Sequence, residues 1–111
     1  MKIAKLADMK GGWFAGNFEP TLLQTSAFEA ACKYYRAGAV EARHVHRVAI
    51  EITLVASGSV RMNGHVIGAG GIVVLEPDEP ADFTALEDTI TMVIKVPSVP
   101  NDKYEAPAGN A

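Results

Sequence analysis

Hydrophobic and polar residues alternate in short runs between positions 47 and 96, and glycine, asparagine, aspartate and proline separate the runs. Alternation with a period of two is typical of β-strands, because successive side chains of a strand point to opposite faces of the sheet. The pattern predicts strands over residues 49–56, 59–62, 65–67, 72–76, 82–86 and 89–96. Asn63-Gly64 predicts a tight hairpin, since both residues tolerate positive φ.

Residues 26–36 fit two patterns. Their alanines and a possible N-cap at Ser26 permit a helix. Alternation also permits a strand, with Phe28, Ala30, Cys32 and Tyr34 on one face. We predict a strand, because the all-β remainder of the chain would supply pairing partners.

The chain is predicted to form a single all-β domain over residues 1–111, with its barrel core at about 26–96. Many short strands with tight turns in a chain of this length indicate a sandwich or a barrel. Pro97, Pro100 and Pro107 predict that residues 97–111 form a proline-rich tail in loop or partly disordered conformation.

Charge and composition narrow the predicted partners and location. The net charge of −3, with lysines and arginines spread along the chain, gives no basic patch and predicts no nucleic-acid partner. No stretch is apolar enough to span a bilayer, and Asp8 interrupts any signal-peptide apolar region, so we predict no membrane association. Cys32 is the single cysteine, which suits a reducing compartment, and we expect a cytoplasmic protein.

One motif carries most of the chemical information. Gly38, His44, His46, Glu51 and Gly58 form the pattern G-x5-H-x-H-x4-E-x6-G. Two histidines one residue apart in a strand project to the same face. Glu51 lies at an odd offset from them and needs a turn or bulge to converge. The three side chains would then form a metal site of the two-histidine, one-carboxylate type.

This motif resembles the first conserved motif of the cupin superfamily, and the resemblance covers roughly residues 34–96. The second cupin motif, G-x5-P-x-G-x2-H-x3-N, is matched only at Gly71 and Pro77. The resemblance implies a small cupin-like β-barrel, or jelly roll, with a metal ion inside it.

The departures from the second motif affect the implied ligand set. Asp82 stands where the family has its third histidine, and Leu86 stands in place of the asparagine. The full implied set of metal ligands is therefore His44, His46, Glu51 and Asp82. Two carboxylates would favour Fe or Mn, with Ni or Zn as further possibilities. If Asp82 does not bind the metal, three facial ligands remain, and Asp82 is then a candidate base or substrate acceptor.

Cupins use such metals in dioxygenases, isomerases, decarboxylases and binding modules, so the fold does not fix the reaction. We predict a metal-binding barrel that holds a small-molecule ligand and acts as an oxygenase or an isomerase on a small polar substrate. The alternatives are a non-catalytic module that binds a small molecule such as a carbohydrate, and a barrel that has lost its metal and keeps the histidines as hydrogen-bonded interior groups.

The apolar side chains of Ile50, Ile52 and Leu54 are predicted to lie opposite the pocket. A small barrel with two apolar faces needs a second cover, and we expect a homodimer. The tail after residue 97 is the alternative cover.

Overall fold

The computed structural model describes residues 1–106 and consists almost entirely of β-strands. One short 3₁₀ helix, Leu6–Asp8, precedes them. The strands in chain order are β1 (Trp13–Gly16), β2 (Leu23–Gln24), β3 (Glu29–Tyr35), β4 (Val40–Val45), β5 (Ile50–Ser57), β6 (Ser59–Met62), β7 (His65–Gly68), β8 (Ile72–Leu75), β9 (Ala81–Ala85), β10 (Thr89–Val96) and β11 (Tyr104–Glu105). They form a six-stranded sheet, β2-β1-β3-β10-β5-β8, and a five-stranded sheet, β11-β4-β9-β6-β7.

The all-β prediction is confirmed, and the ambiguous segment 26–36 contains a strand. β3 pairs with β10 along its whole length, from Glu29 opposite Lys95 to Tyr35 opposite Thr89. This ladder satisfies the backbone groups of both strands, which decides the outcome over local helix propensity.

The sheets extend beyond the predicted core of residues 26–96. β1 and β2 precede that core, and β11 lies within the tail that was predicted as loop, where it pairs with β4. Residues 107–111 of the predicted tail lie outside the described part of the chain.

The predicted hairpin at Asn63-Gly64 is confirmed. These residues have φ values of 49° and 81° and connect β6 to β7, whose residues pair from Met62–His65 outward. Positive φ at both central positions matches the twist of the flanking strands.

The inward-facing side chains divide between an apolar core and a cavity. The core is built from buried side chains of β5, β6, β8 and β9, including Val55, Val60 and Leu75. Met62 and Phe83 belong to this core and also line the cavity, so they mark the boundary between the two.

The outer face of the six-stranded sheet is apolar. On β10 the side chains of Thr91, Val93 and Lys95 line the cavity, so alternation turns the intervening ones outward. Ile94 is 38% exposed, and Ile72 on β8 is 63% exposed. The homodimer expected from the sequence stays a prediction for this face. Among the described residues, no helix has the length and apolar character needed to cross a membrane.

We predict that Ile94→Lys gives a monomer while the unmodified protein has twice the mass of one chain in solution. A lysine at this position would bury an unpaired charge in the interface, and such burial is costly. Light scattering coupled to size-exclusion chromatography measures the mass. Val66→Lys is the matched control, since Val66 is also exposed but lies on β7 of the other sheet. A single-chain mass for the unmodified protein would contradict the prediction.

Candidate metal centre

Three side chains of the predicted motif converge at the end of the cavity. His44 lies in β4, His46 directly follows that strand, and Glu51 is the second residue of β5. One ligand atom from each lies within 4.8 Å of the others. The turn between His46 and Glu51 corrects the odd spacing, as the sequence required. His46 and Glu51 are buried, with 4% and 8% of their surfaces exposed, and His44 is half-buried.

Both imidazole rings are oriented by backbone carbonyls. Nδ1 of His44 lies 3.0 Å from the carbonyl oxygen of Ala42, and Nδ1 of His46 lies 2.6 Å from that of Asp102. A carbonyl oxygen only accepts, so each Nδ1 carries a proton and donates it. In the neutral ring Nε2 then has a free lone pair, which is the arrangement found in metal-binding histidines.

His46 also supplies a direct test of whether a metal ion fits. Its Nε2 is buried without a hydrogen-bond partner in the described part of the chain, although Glu51 Oε1 lies 3.3 Å away. Buried polar atoms are rarely left unpaired. Two ligand atoms on adjacent positions of one metal ion, each about 2.1 Å from it, lie about 3 Å apart. The donor types and this separation therefore fit a divalent transition metal.

The electrostatics of the site favour the metal-binding protonation states. Burial lowers the pKa of His44, which keeps this imidazole neutral. Burial alone would raise the pKa of the Glu51 carboxyl, but the His46 ring, which donates to it when protonated in the absence of metal, and the Lys95 ammonium outweigh burial and lower that pKa. A neutral imidazole and an ionised carboxylate are the forms that bind metal.

Asp102, which sequence reasoning did not identify, holds the turn that joins β4 to β5. Its carboxylate accepts hydrogen bonds from the backbone N–H groups of Arg47 and Ala49, both at 2.9 Å, and of Val48 at 3.2 Å. Its carbonyl oxygen is the one that orients His46. Its position in the proline-rich tail gave no signal of this role, because the contacts join residues more than fifty positions apart.

The structure does not bring Asp82 into the group formed by His44, His46 and Glu51, the set of possible metal ligands found among residues 1–106. Asp82 Oδ1 accepts from the backbone N–H of Asn63 at 2.7 Å. Ala81, which pairs with His44, is buried, whereas Asp82 is exposed, as alternation along β9 requires. A ligand role for Asp82 stays a prediction.

Two of the three candidate ligands, His44 and Glu51, line a cavity of about 550 Å³. Trp13, Lys33, Tyr35, Glu41 and Lys95 line it, and the size suits a small organic molecule. The Tyr35 hydroxyl donates to Glu41 Oε2 at 2.8 Å.

Sequence reasoning also missed most of these lining residues. The signal was present on β3, where Glu29, Lys33 and Tyr35 alternate with Ala30, Cys32 and Tyr34. The apolar set drew attention, but the polar set faces the cavity.

Comparison with known proteins identifies the fold. No protein-family model and no curated protein sequence matches the chain. Three similar solved structures illustrate the structural matches. An uncharacterised conserved protein with a double-stranded β-helix domain from Klebsiella pneumoniae has a TM-score of 0.67 and 24% identity, over 77% of this chain and 75% of that chain. The DMSP lyase DddQ from Ruegeria pomeroyi has a TM-score of 0.68 and 21% identity, over 83% of this chain and 50% of that chain. A cupin-2 domain protein from Shewanella frigidimarina has a TM-score of 0.56 and 16% identity, over 65% of this chain and 72% of that chain. The chain therefore has the cupin fold, and the resemblance seen in its first motif is confirmed at that level.

We predict that Asp102→Asn lowers the free energy of unfolding by about 1–3 kcal/mol at pH 7, since buried N–H groups lose a charged acceptor. Burial alone would raise the pKa of Asp102, but the N–H groups of Ala49, Arg47 and Val48 lower it. A lowered carboxyl pKa stabilises the fold above the unfolded value of about 3.9, and that stability is lost as the pH falls through the folded value. The difference between the two proteins should therefore shrink below about pH 4.

Urea unfolding at pH 7, 5 and 3 measures this difference. Asp78→Asn is the matched control, because the Asp78 carboxylate is 70% exposed and makes only a long contact, 3.8 Å, with Arg47. Its effect should stay within about 0.5 kcal/mol. An Asp102→Asn effect that is equal at pH 7 and pH 3 would exclude the charged interaction as its cause.

Proposed function

We propose that this protein is a metal-dependent enzyme that transforms a small polar molecule inside its barrel. His44, His46 and Glu51 would hold one divalent transition metal. The observation that carries this proposal is the buried Nε2 of His46, which has no hydrogen-bond partner among residues 1–106 and lies 3.3 Å from Glu51 Oε1.

Three protein ligands leave coordination positions open for a substrate or water, and Fe and Mn suit the mixed imidazole and carboxylate set. When bound, such an ion polarises a coordinated oxygen or lowers the pKa of a bound water. Substrate binding and proton transfer would then depend on the side chains of the cavity.

The Tyr35–Glu41 pair favours a proton-transfer reaction such as an isomerisation. Burial raises the pKa of the Tyr35 phenol well above its ordinary value, so the hydroxyl keeps its proton and remains a donor. Glu41 accepts that proton's hydrogen bond at 2.8 Å and offers an oxygen base in the same cavity. The second candidate is an oxygenase, because three facial ligands of this type are characteristic of non-heme iron oxygenases.

The first experiment measures metal content by plasma mass spectrometry on tag-free protein, before and after loading with Fe(II) or Mn(II). We expect close to one ion per chain, and we expect His46→Ala to lose it, because one of three ligands is removed. Asp82→Asn should retain the ion, since the Asp82 carboxylate accepts a hydrogen bond from the backbone N–H of Asn63. His65→Ala, on the exposed start of β7, is the matched histidine control. Native protein that binds no ion after loading would overturn the proposal in favour of a metal-free barrel.

A second experiment separates the two reaction classes. Metal-loaded protein is incubated without O2 in deuterated buffer with aldoses, ketoses and 2-keto acids, and NMR follows deuterium entering substrate C–H positions. Proton transfer predicts exchange that Glu41→Gln abolishes without loss of metal. Glu105→Gln, exposed on β11, is the control. Oxygen consumption with a substrate that shows no anaerobic exchange would favour the oxygenase instead. Thermal stabilisation by a sugar without any turnover would indicate a binding module.

A further inference from the structure

The charged side chains of the cavity differ in whether they have partners. Lys95 Nζ lies 3.6 Å from Glu29 Oε1, and Glu29 also accepts from the Ser98 hydroxyl at 2.7 Å. Glu41 accepts from Tyr35 at 2.8 Å. Each of these groups already has a partner within the protein.

Lys33 differs from them. Lys10 and Lys103 also line the cavity and have no carboxylate oxygen within 4.0 Å among the described residues, but both are exposed to solvent. The Lys33 side chain projects from β3 into the cavity and is half-buried, yet within residues 1–106 no carboxylate oxygen lies within 4.0 Å of its Nζ. The group that partly offsets the charge of its ammonium is the Trp13 ring, whose centroid lies 5.3 Å from Nζ. The centroid of the same ring lies 4.9 Å from Lys95 Nζ, so two ammonium groups share one aromatic ring.

A desolvated ammonium without an ion pair is costly, and a cation–π contact offsets only part of that cost. Burial is the main influence on Lys33 and lowers its pKa, while Glu41 and Glu51 act on it from a distance without contacting it. When Glu51 binds a cation, its negative charge is neutralised, and the Lys33 ammonium is left with still less compensation. The metal-loaded cavity therefore favours an anionic group beside Lys33.

We propose that the cavity takes an anionic ligand, with a carboxylate or similar oxyanion bound by the Lys33 ammonium beside Trp13. This inference rests on the proposed function in so far as the other end of the ligand faces the metal centre. Lys33 then selects a small acid over a neutral sugar. Its charge-assisted hydrogen bond to the oxyanion is of the stronger kind, because both partners are ionised.

Malonate serves as the probe and malonamide as its neutral counterpart. Isothermal titration calorimetry is run on metal-loaded protein and on metal-free protein. We expect malonate to bind at least about tenfold more tightly than malonamide, and Lys33→Met to lose about tenfold or more of the malonate affinity. Lys33→Arg, which keeps the charge, should retain most of it. Lys5→Met is the matched control, since Lys5 is exposed and is not among the residues that line the cavity, and its effect should be about twofold or less.

The metal content of each variant is measured separately, and circular dichroism verifies that each is folded. Malonate binding that depends on Lys33 in metal-free protein supports this inference even if no metal binds and the proposed function fails. Equal malonate affinity in Lys33→Met and the unmodified protein overturns the inference, even if the metal site is real. A larger loss in Lys5→Met than in Lys33→Met, or no malonate binding in either form, overturns it as well.

Discussion

The carboxylate of Asp102, with its hydrogen bonds to the turn after His46, is the contact on which the candidate centre depends. β4 and β5 belong to different sheets, so no ladder of backbone hydrogen bonds fixes the turn between them. Asp102 supplies three acceptor contacts to that turn and orients the His46 ring through its own carbonyl. Hydrogen bonds to an ionised carboxylate are stronger than those between neutral groups, so one buried carboxylate is enough to fix the conformation of this short turn. The relative positions of His46 and Glu51, which lie on either side of this turn, follow from these hydrogen bonds.

The six-stranded sheet inverts the usual relation between polarity and burial. Its inner face carries Glu29, Lys33 and Lys95 around a cavity, and its outer face carries Ile72 and Ile94. A sheet that covers a hydrophobic core shows the opposite pattern. The inversion is limited to the part of the inner face that lines the cavity. Around Val55 and Leu75, on β5 and β8 of the same sheet, the inner face is apolar and belongs to the core with Val60.

Sequence periodicity was sufficient for the strands of the central region and for the hairpin at Asn63-Gly64, because these follow from local backbone preferences. Alternation placed His44 and His46 on one face, but the convergence of Glu51 with them required a turn, which was expected from the motif and not from periodicity. Lys33 could not be assigned, since alternation fixes which residues share a face but not whether that face is inside. The role of Asp102 could not be predicted from the sequence, because it depends on contacts with residues 46–49, more than fifty positions away. Asp82 was proposed from its place in the family motif. It lies outside the group of His44, His46 and Glu51 but among the residues that line the cavity, and its ligand role stays a prediction.

The C-terminal segment has two functions that cannot vary independently. Through Asp102 it holds the turn that carries His46, and through Pro97, Val99 and Lys103 it forms one wall of the cavity. Any displacement of this wall that admits a ligand also loosens the support of His46. If a metal ion and a ligand both bind and both affect the position of this segment, linkage makes each change the affinity of the other by the same factor. The C-terminal segment would then couple the affinity for the ligand to the affinity for the metal.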